Sequence, residues 1–252
     1  MNPISRRKLI TGGAVTVAGV AGLAAADRIA RRWGLIPPDG GGVYGPGETL
    51  TYAAQRVIGK HALAREFPRG MISKAPFMNE VAPPSDEFKR HQAAGFKDWR
   101  LVVDGMVTRP VTLSVADLRA MAMRNQITEV VCEEGWSYVA EWIGTPLADV
   151  LQEAGPLPQV RYVVYRSIQS DWWESIDMAD ALHPQTLLTW GMNDGDLPAG
   201  FGGPLRLRVP RQLGYKSVKY ITRITATDSL KGFGKGLGSA SPEGGYAWYA
   251  GI

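Results

Sequence analysis

From Leu205 to Val209 the chain reads Leu-Arg-Leu-Arg-Val, an apolar–basic alternation of period two that predicts a strand. Four more runs read as short strands from their β-branched content and the turn residues around them: 99–105, 127–132, 161–165 and 220–227. Helices are predicted where the spacing lengthens. Ser114 stands before Val115-Ala116-Asp117-Leu118 with Asp117 three positions on, a capping-box pattern. Residues 146–154 form a helix stopped by Gly155-Pro156, and 176–182 a shorter one broken at His183-Pro184. The stretch 36–60, which begins Ile36-Pro37-Pro38-Asp39-Gly40-Gly41-Gly42, reads as linker. Short strands mixed with short helices, and no internal repeat, predict an α+β fold.

The ends of the chain set the domain plan. Ser5-Arg6-Arg7-Lys8 followed by an uncharged run from Leu9 to Ala26 has the form of a twin-arginine export leader. Its small residues Ala24-Ala25-Ala26 form a cleavage site, and its length reaches the lower end of a membrane span, so retention as an anchor is the alternative. The expected plan is a leader over 1–35, a Pro/Gly-rich lead-in packing on the core over 36–90, the main domain over 91–230, and a Gly-rich aromatic arm over 231–252 that carries Tyr246, Trp248 and Tyr249.

Charge then changes its meaning. The chain carries +4, but residues 1–35 hold six Arg and Lys against Asp27, leaving −1 for the remainder. A nucleic-acid partner is therefore not expected. Twin-arginine export carries chains already folded, which suits a protein that takes up a cofactor before crossing to the periplasm.

Cys132 is the only cysteine, at the point where Thr128-Glu129-Val130-Val131 meets Glu133-Glu134-Gly135. A lone cysteine forms no internal disulfide and no cysteine-rich metal site. It is a core filler, a nucleophile, or one ligand to a metal held mainly by something else. With His61, His91 and His183 the only histidines, a histidine-built zinc or haem site is not expected.

Six segments in order carry a family resemblance: Cys132-Glu133-Glu134-Gly135-Trp136-Ser137, Trp142-Ile143-Gly144-Thr145-Pro146-Leu147, Ala181-Leu182-His183-Pro184-Gln185, Met192-Asn193-Asp194-Gly195-Asp196, Gly203-Pro204-Leu205-Arg206, and Gly214-Tyr215-Lys216-Ser217-Val218-Lys219. Together they resemble the sulfite oxidase superfamily of molybdopterin-dependent oxidoreductases. The likeness is greatest to its bacterial periplasmic branch, which includes the catalytic subunit of methionine sulfoxide reductase. The resemblance implies the sulfite-oxidase fold, one molybdenum on a pterin dithiolene, and Cys132 as the protein ligand to the metal. It places Ser167, Arg206, Ser217, Val218 and Lys219 against the cofactor, with His183, Lys216 and Asn79 as further contacts. Cations and backbone amides at such positions suit a terminal phosphate.

Departures from the pattern bear on the substrate. Sulfite oxidases proper carry arginines just after the ligand cysteine, where this chain has Glu133 and Glu134, and a tyrosine near the metal, where it has Trp172. An asparagine or histidine that contacts the cofactor is replaced by Phe201. Carboxylates repel an anion, so a neutral S-oxide or N-oxide, small or protein-bound, is the expected substrate of a two-electron oxygen-atom transfer. Glu133, Trp172 and Trp173 are expected to line its pocket, the two tryptophans on a loop at the mouth. Electrons are expected from a haem-containing or quinol-linked partner at the membrane. Two rivals stand beside this reading: a cysteine hydrolase pairing Cys132 with His183, and a cofactor-free periplasmic binding module on the same fold.

Overall fold

A computed structural model describes residues 25–252 except 27, 31, 42–44, 80, 81, 84 and 170. The twin-arginine pair and most of the expected leader lie outside the described residues. In chain order the elements are α1 (Gly45–Val57), α2 (Asp86–Ala93), β1 (Arg100–Gly105), β2 (Val111–Ser114), α3 (Val115–Ala120), β3 (Arg124–Val131), β4 (Ser137–Pro146) and α4 (Leu147–Ala154). They continue with β5 (Tyr162–Ser167), β6 (Trp173–Asp177), α5 (Met178–Ala181), β7 (Leu187–Met192), β8 (Gly195–Asp196), β9 (Arg206–Arg208), β10 (Ile221–Thr227) and α6 (Ala240–Glu243).

The strands form two sheets. One has the order β2-β1-β10-β5-β6, with β1 and β10 parallel and the other pairs antiparallel. The second is antiparallel, ordered β3-β4-β7-β8, with β9 on β7. This is the α+β arrangement of mixed sheets and short helices that the pattern predicts. The main core draws Leu101 and Val103 of β1, Val163 and Tyr165 of β5, and Ile221 and Ile224 of β10 onto the buried face of α4, which presents Leu147, Val150, Leu151 and Ala154. That helix ends at Gly155 (φ +66), where the left-handed conformation closes its last turn. Ser114 caps α3 with the capping box completed by Asp117.

The structure differs from the pattern in three respects. Residues 45–57, inside the expected linker, are α1. Its inward face carries Glu48, Tyr52 and Arg56, and Arg56 bonds Asp177 (2.6 Å) and Asp180 (2.7 Å). Of the expected helix at 176–182, the first two residues belong to β6, and only Met178–Ala181 is helical. Strands β2, β4, β6, β7 and β8 carry no strand signal in the sequence; in β4, β6 and β7 nearly every residue is buried, which removes alternation, and β2 and β8 are only four and two residues long. In the C-terminal arm Trp248 and Tyr249 pack with Tyr52, Tyr162 and Trp173.

Candidate active site

Strands β3 and β4 form a hairpin whose last pair is Val131 with Ser137. The intervening turn is closed by Cys132 N–H donating to Trp136 O (3.0 Å) and Gly135 N–H to Cys132 O (3.1 Å), with Gly135 at φ +90. Cys132 is thus the first residue past a strand, held on both sides. Its thiol faces a cavity of about 510 Å³. The β5–β6 loop contributes Gln169, Asp171 and Trp172 to the wall, β9 contributes Arg206, and the following loop Ser217, Val218 and Lys219. Asn79 from the lead-in and Tyr246 from the C-terminal arm complete it.

The cavity has two electrostatic sides. Beside Cys132 the Sγ–H donates to Glu133 Oε2 (3.2 Å), with Glu134 Oε2 at 3.8 Å. Burial, then the adjoining carboxylates, push the thiol pKa up to about 12. The other side is cationic. Arg206 is buried on β9, donating to Phe201 O (2.8 Å) and Ser217 O (2.6 Å), with its guanidinium 5.2 Å from the ring of Trp142. Arg206 Nε is buried with no hydrogen-bond partner among the described residues. Burial lowers the pKa of this guanidinium. Lys219 Nζ donates to Asn79 Oδ1 (2.9 Å) and Gly200 O (2.7 Å). Gly202 (φ +106) lets the chain pass beneath both cations, since a Cβ there would sit 2.9 Å from Lys219 Cγ and 3.1 Å from Arg206 Cβ.

Of the residues singled out from the sequence, Cys132, Glu133, Asn79, Trp172, Arg206, Ser217, Val218 and Lys219 meet in this one cavity. Four others do not line it. Lys216 is fully buried and ion-paired to Glu174. His183 is buried after α5, its Nδ1 accepting from Gln185 N–H (3.3 Å), and burial followed by the charge of Arg211 lowers its pKa. Ser167 ends β5 with its hydroxyl accepting from Gln169 N–H (3.1 Å). Trp173 begins β6 and packs in the aromatic cluster beside Phe233, so the pair expected on one loop divides between mouth and core. A hydrolase built on Cys132 and His183 therefore lacks its base in the cavity, and carboxylates stand where a cation would activate the thiol. Tyr138, Gln169 and Tyr246 line the cavity without any local motif to mark them.

The donor set fits a molybdopterin. Among the described residues no cluster of three histidine, cysteine or acidic side chains could hold a metal alone. One sulfur at Cys132 suits a metal that brings its own dithiolene, and an under-satisfied buried guanidinium suits a phosphate.

The family model for the oxidoreductase molybdopterin binding domain matches residues 89–232. A putative protein-methionine-sulfoxide reductase subunit, YedZ1 of Azospira oryzae, is 36% identical over 189 residues, covering 75% of this chain and 68% of the relative. The protein-methionine-sulfoxide reductase catalytic subunit MsrP of Xanthomonas axonopodis pv. citri is 32% identical over 243 residues, 89% of this chain and 70% of the relative. Among solved structures, the sulfane dehydrogenase SoxCD of Paracoccus pantotrophus superposes with a TM-score of 0.52 at 22% identity. That match covers 68% of this chain, which spans under half the length of the SoxCD chain (46%), and the likeness is one of fold.

Proposed function

The chain belongs to the oxidoreductase molybdopterin-binding domain family, and from that premise we propose an exported enzyme that removes an oxygen atom from a neutral S-oxide or N-oxide, with molybdenum–molybdopterin held in the Cys132 cavity. The bound group supplies a two-electron redox centre that exchanges an oxygen atom; the chain holds it, orients the substrate and selects it. Cys132 Sγ is the protein ligand, a thiol that coordination keeps deprotonated against its raised pKa. Arg206, Lys219 and the N–H of Val218 take the phosphate, the Ser217 N–H being spent on Gly214 O (2.9 Å).

The observation that carries the substrate reading is the pair of carboxylates at Cys132 Sγ, 3.2 Å and 3.8 Å away. At about 5 Å a carboxylate opposes a unit anion by roughly 3 kcal/mol in a medium of effective dielectric 20, which disfavours sulfite and leaves neutral oxides unopposed. The names of the Azospira and Xanthomonas relatives, subunits of protein-methionine-sulfoxide reductases, support an S-oxide, including one carried by a protein. The balance is then cleavage of the S–O bond to give a thioether and water, consuming two protons and two electrons. One cysteine cannot hold an iron–sulfur cluster, so the electrons come from outside, from a haem-containing or quinol-linked membrane partner. The leader places the enzyme in the periplasm, cleaved after Ala26 or retained as an anchor.

Elemental mass spectrometry on chain exported through its own leader, beside Cys132→Ser, tests the cofactor. About one molybdenum per chain, lost or spectroscopically altered in the variant, supports the reading. No molybdenum from a host that makes the pterin overturns it. Turnover with dye donors then ranks sulfoxides and N-oxides against sulfite, and faster sulfite oxidation would overturn the substrate class alone.

A further inference from the structure

Six large apolar side chains between residues 29 and 63 stand 57–86% exposed: Ile29, Trp33, Leu50, Val57, Ile58 and Leu63. Trp33 meets the C-terminal end of α1 at Val57, Ile58 follows directly, and Leu50 and Leu63 lie within seven residues of that end. Trp33 N–H donates to Ile29 O (2.9 Å), which puts the two side chains one helical turn apart. Leu50 and Val57 are seven residues apart on α1, turned away from its inward row of Glu48, Tyr52 and Arg56. Trp33 and Val57 also line one cleft together with Lys60 and Arg161. Single exposed apolar residues are ordinary, but a group of this size marks a contact surface.

The groups around the patch narrow its occupant. Arg28, Arg32, Lys60, Arg65 and Arg161 are all exposed beside it in sequence or in the cleft. Glu48 and Asp177 are turned inward into hydrogen bonds, and Glu66, exposed next to Arg65, accepts from Gln185 Nε2 (3.0 Å). Apolar side chains that include a tryptophan, ringed by arginine and lysine, match the interface of an anionic bilayer. The chain enters this region directly from the uncharged run Leu9–Ala26. Among the described residues no helix is long and apolar enough to cross a membrane.

We propose that this face, built on Trp33, the outer side of α1 and the turn through Ile58 and Leu63, docks on an anionic phospholipid surface. The docking is a property of the folded domain and is separate from any tethering by the leader. It holds the enzyme at the bilayer independently of its substrate.

The test uses the full chain on phosphatidylglycerol vesicles with brominated acyl chains, which quench tryptophans lying among them. In a Trp33→Phe background, Ile58→Trp reports on the face and Met123→Trp, exposed outside the patch, serves as reference. The expected result is extra quenching for Ile58→Trp and none for Met123→Trp. Adding Arg32→Glu and Lys60→Glu should weaken this by more than tenfold, since each cation neutralised near the surface is worth about fivefold. Phosphatidylcholine vesicles should give little signal. Equal behaviour of the two reporters would leave only a leader tether and overturn the proposal. Quenching indifferent to charge reversal would overturn the anionic lipid. A lipid-free dimer that Ile58→Glu dissociates would assign the face to a second copy instead.

Discussion

Lys216 Nζ lies 2.7 Å from Glu174 Oε2, and neither side chain has any solvent exposure. The ammonium also donates to Ser175 O (3.1 Å) and Ser239 Oγ (3.2 Å), and the other carboxylate oxygen accepts Ser241 N–H (3.0 Å). One ion pair thus joins the turn ahead of Ser217 to β6 and to the C-terminal arm. A side chain that the family resemblance assigns to the cofactor is committed to holding the loop that reaches it. Lys216→Met strands a buried carboxylate and should cost about 3–5 kcal/mol, part of it recovered when Glu174→Gln is added. Urea unfolding of the two variants measures this, and a single-variant cost below about 1 kcal/mol would remove the pair from the account of stability.

A second prediction concerns pH. Asp39 Oδ2 and Glu48 Oε1 both accept from Trp248 N–H, at 2.7 Å and 3.0 Å, so two carboxyl groups converge where the lead-in grips the arm. Burial and the neighbouring Asp39 raise the Glu48 pKa from 4.5 to about 7, and burial raises that of Asp39. The folded chain therefore holds protons that the unfolded chain has released. Stability is full below about pH 4.5 and falls as pH rises towards 7, by roughly 2 kcal/mol for a shift of this size shared between two coupled groups. Denaturation midpoints at pH 5, 6.5 and 8 should decline in the wild type and flatten in Glu48→Gln. An unchanged slope in the variant would assign the effect elsewhere.

The third prediction separates the thiol's intrinsic chemistry from the coordinated state proposed for it. With a pKa near 12, Cys132 in the cofactor-free chain is almost wholly protonated at pH 8. Against an ordinary thiol of pKa about 8.5, the loss of thiolate outweighs its greater nucleophilicity, and alkylation should be about 100-fold slower. Glu133→Gln removes a carboxylate 3.2 Å away and should speed the reaction. Alkylation as fast as a free thiol, read by mass shift against time, would restore Cys132 as an activated nucleophile.

Legibility followed burial. The alternation in β9 was plain, and the capping box predicted α3, because those signals are local. β4 carries Trp142 and half the Cys132 hairpin, yet its ten residues are buried on both faces except for Ser137 and Ile143, so no period marks it. α1 begins at Gly45-Pro46-Gly47 and hides polar residues, Glu48 and Arg56, on its inner face, inverting the signal expected of a core helix. Cys132, Arg206 and Lys219, which the family resemblance singles out, meet in one cavity of the structure. Tyr246 was not, because it reaches the cavity through the packing of Trp248 and Tyr249, and long-range packing leaves no local trace.

The last prediction turns on the cost of keeping a site ready for an anion. Arg206 and Arg208 project from the same side of β9, with guanidinium carbons 5.2 Å and 5.6 Å from the ring of Trp142. Their partners are all neutral: carbonyls of Phe201 and Ser217 for Arg206, and Ser217 Oγ, Thr128 Oγ1 and the Glu129 carbonyl for Arg208. Burial and the charge of Arg206 lower the Arg208 pKa to about 9. Two adjoining buried cations with no carboxylate partner among the described residues oppose folding until an anion arrives, and Arg206 is the one that faces the cavity. Arg206→Met should therefore leave the cofactor-free chain as stable as the wild type, or up to about 2 kcal/mol more stable, while the pterin retained through purification falls more than tenfold. Unfolding of the cofactor-free proteins and fluorescence of the released, oxidised pterin give the two readings. A variant that loses stability by more than about 1 kcal/mol yet keeps its pterin would make Arg206 a structural cation and move the proposed phosphate site to Lys219 and the amide of Val218.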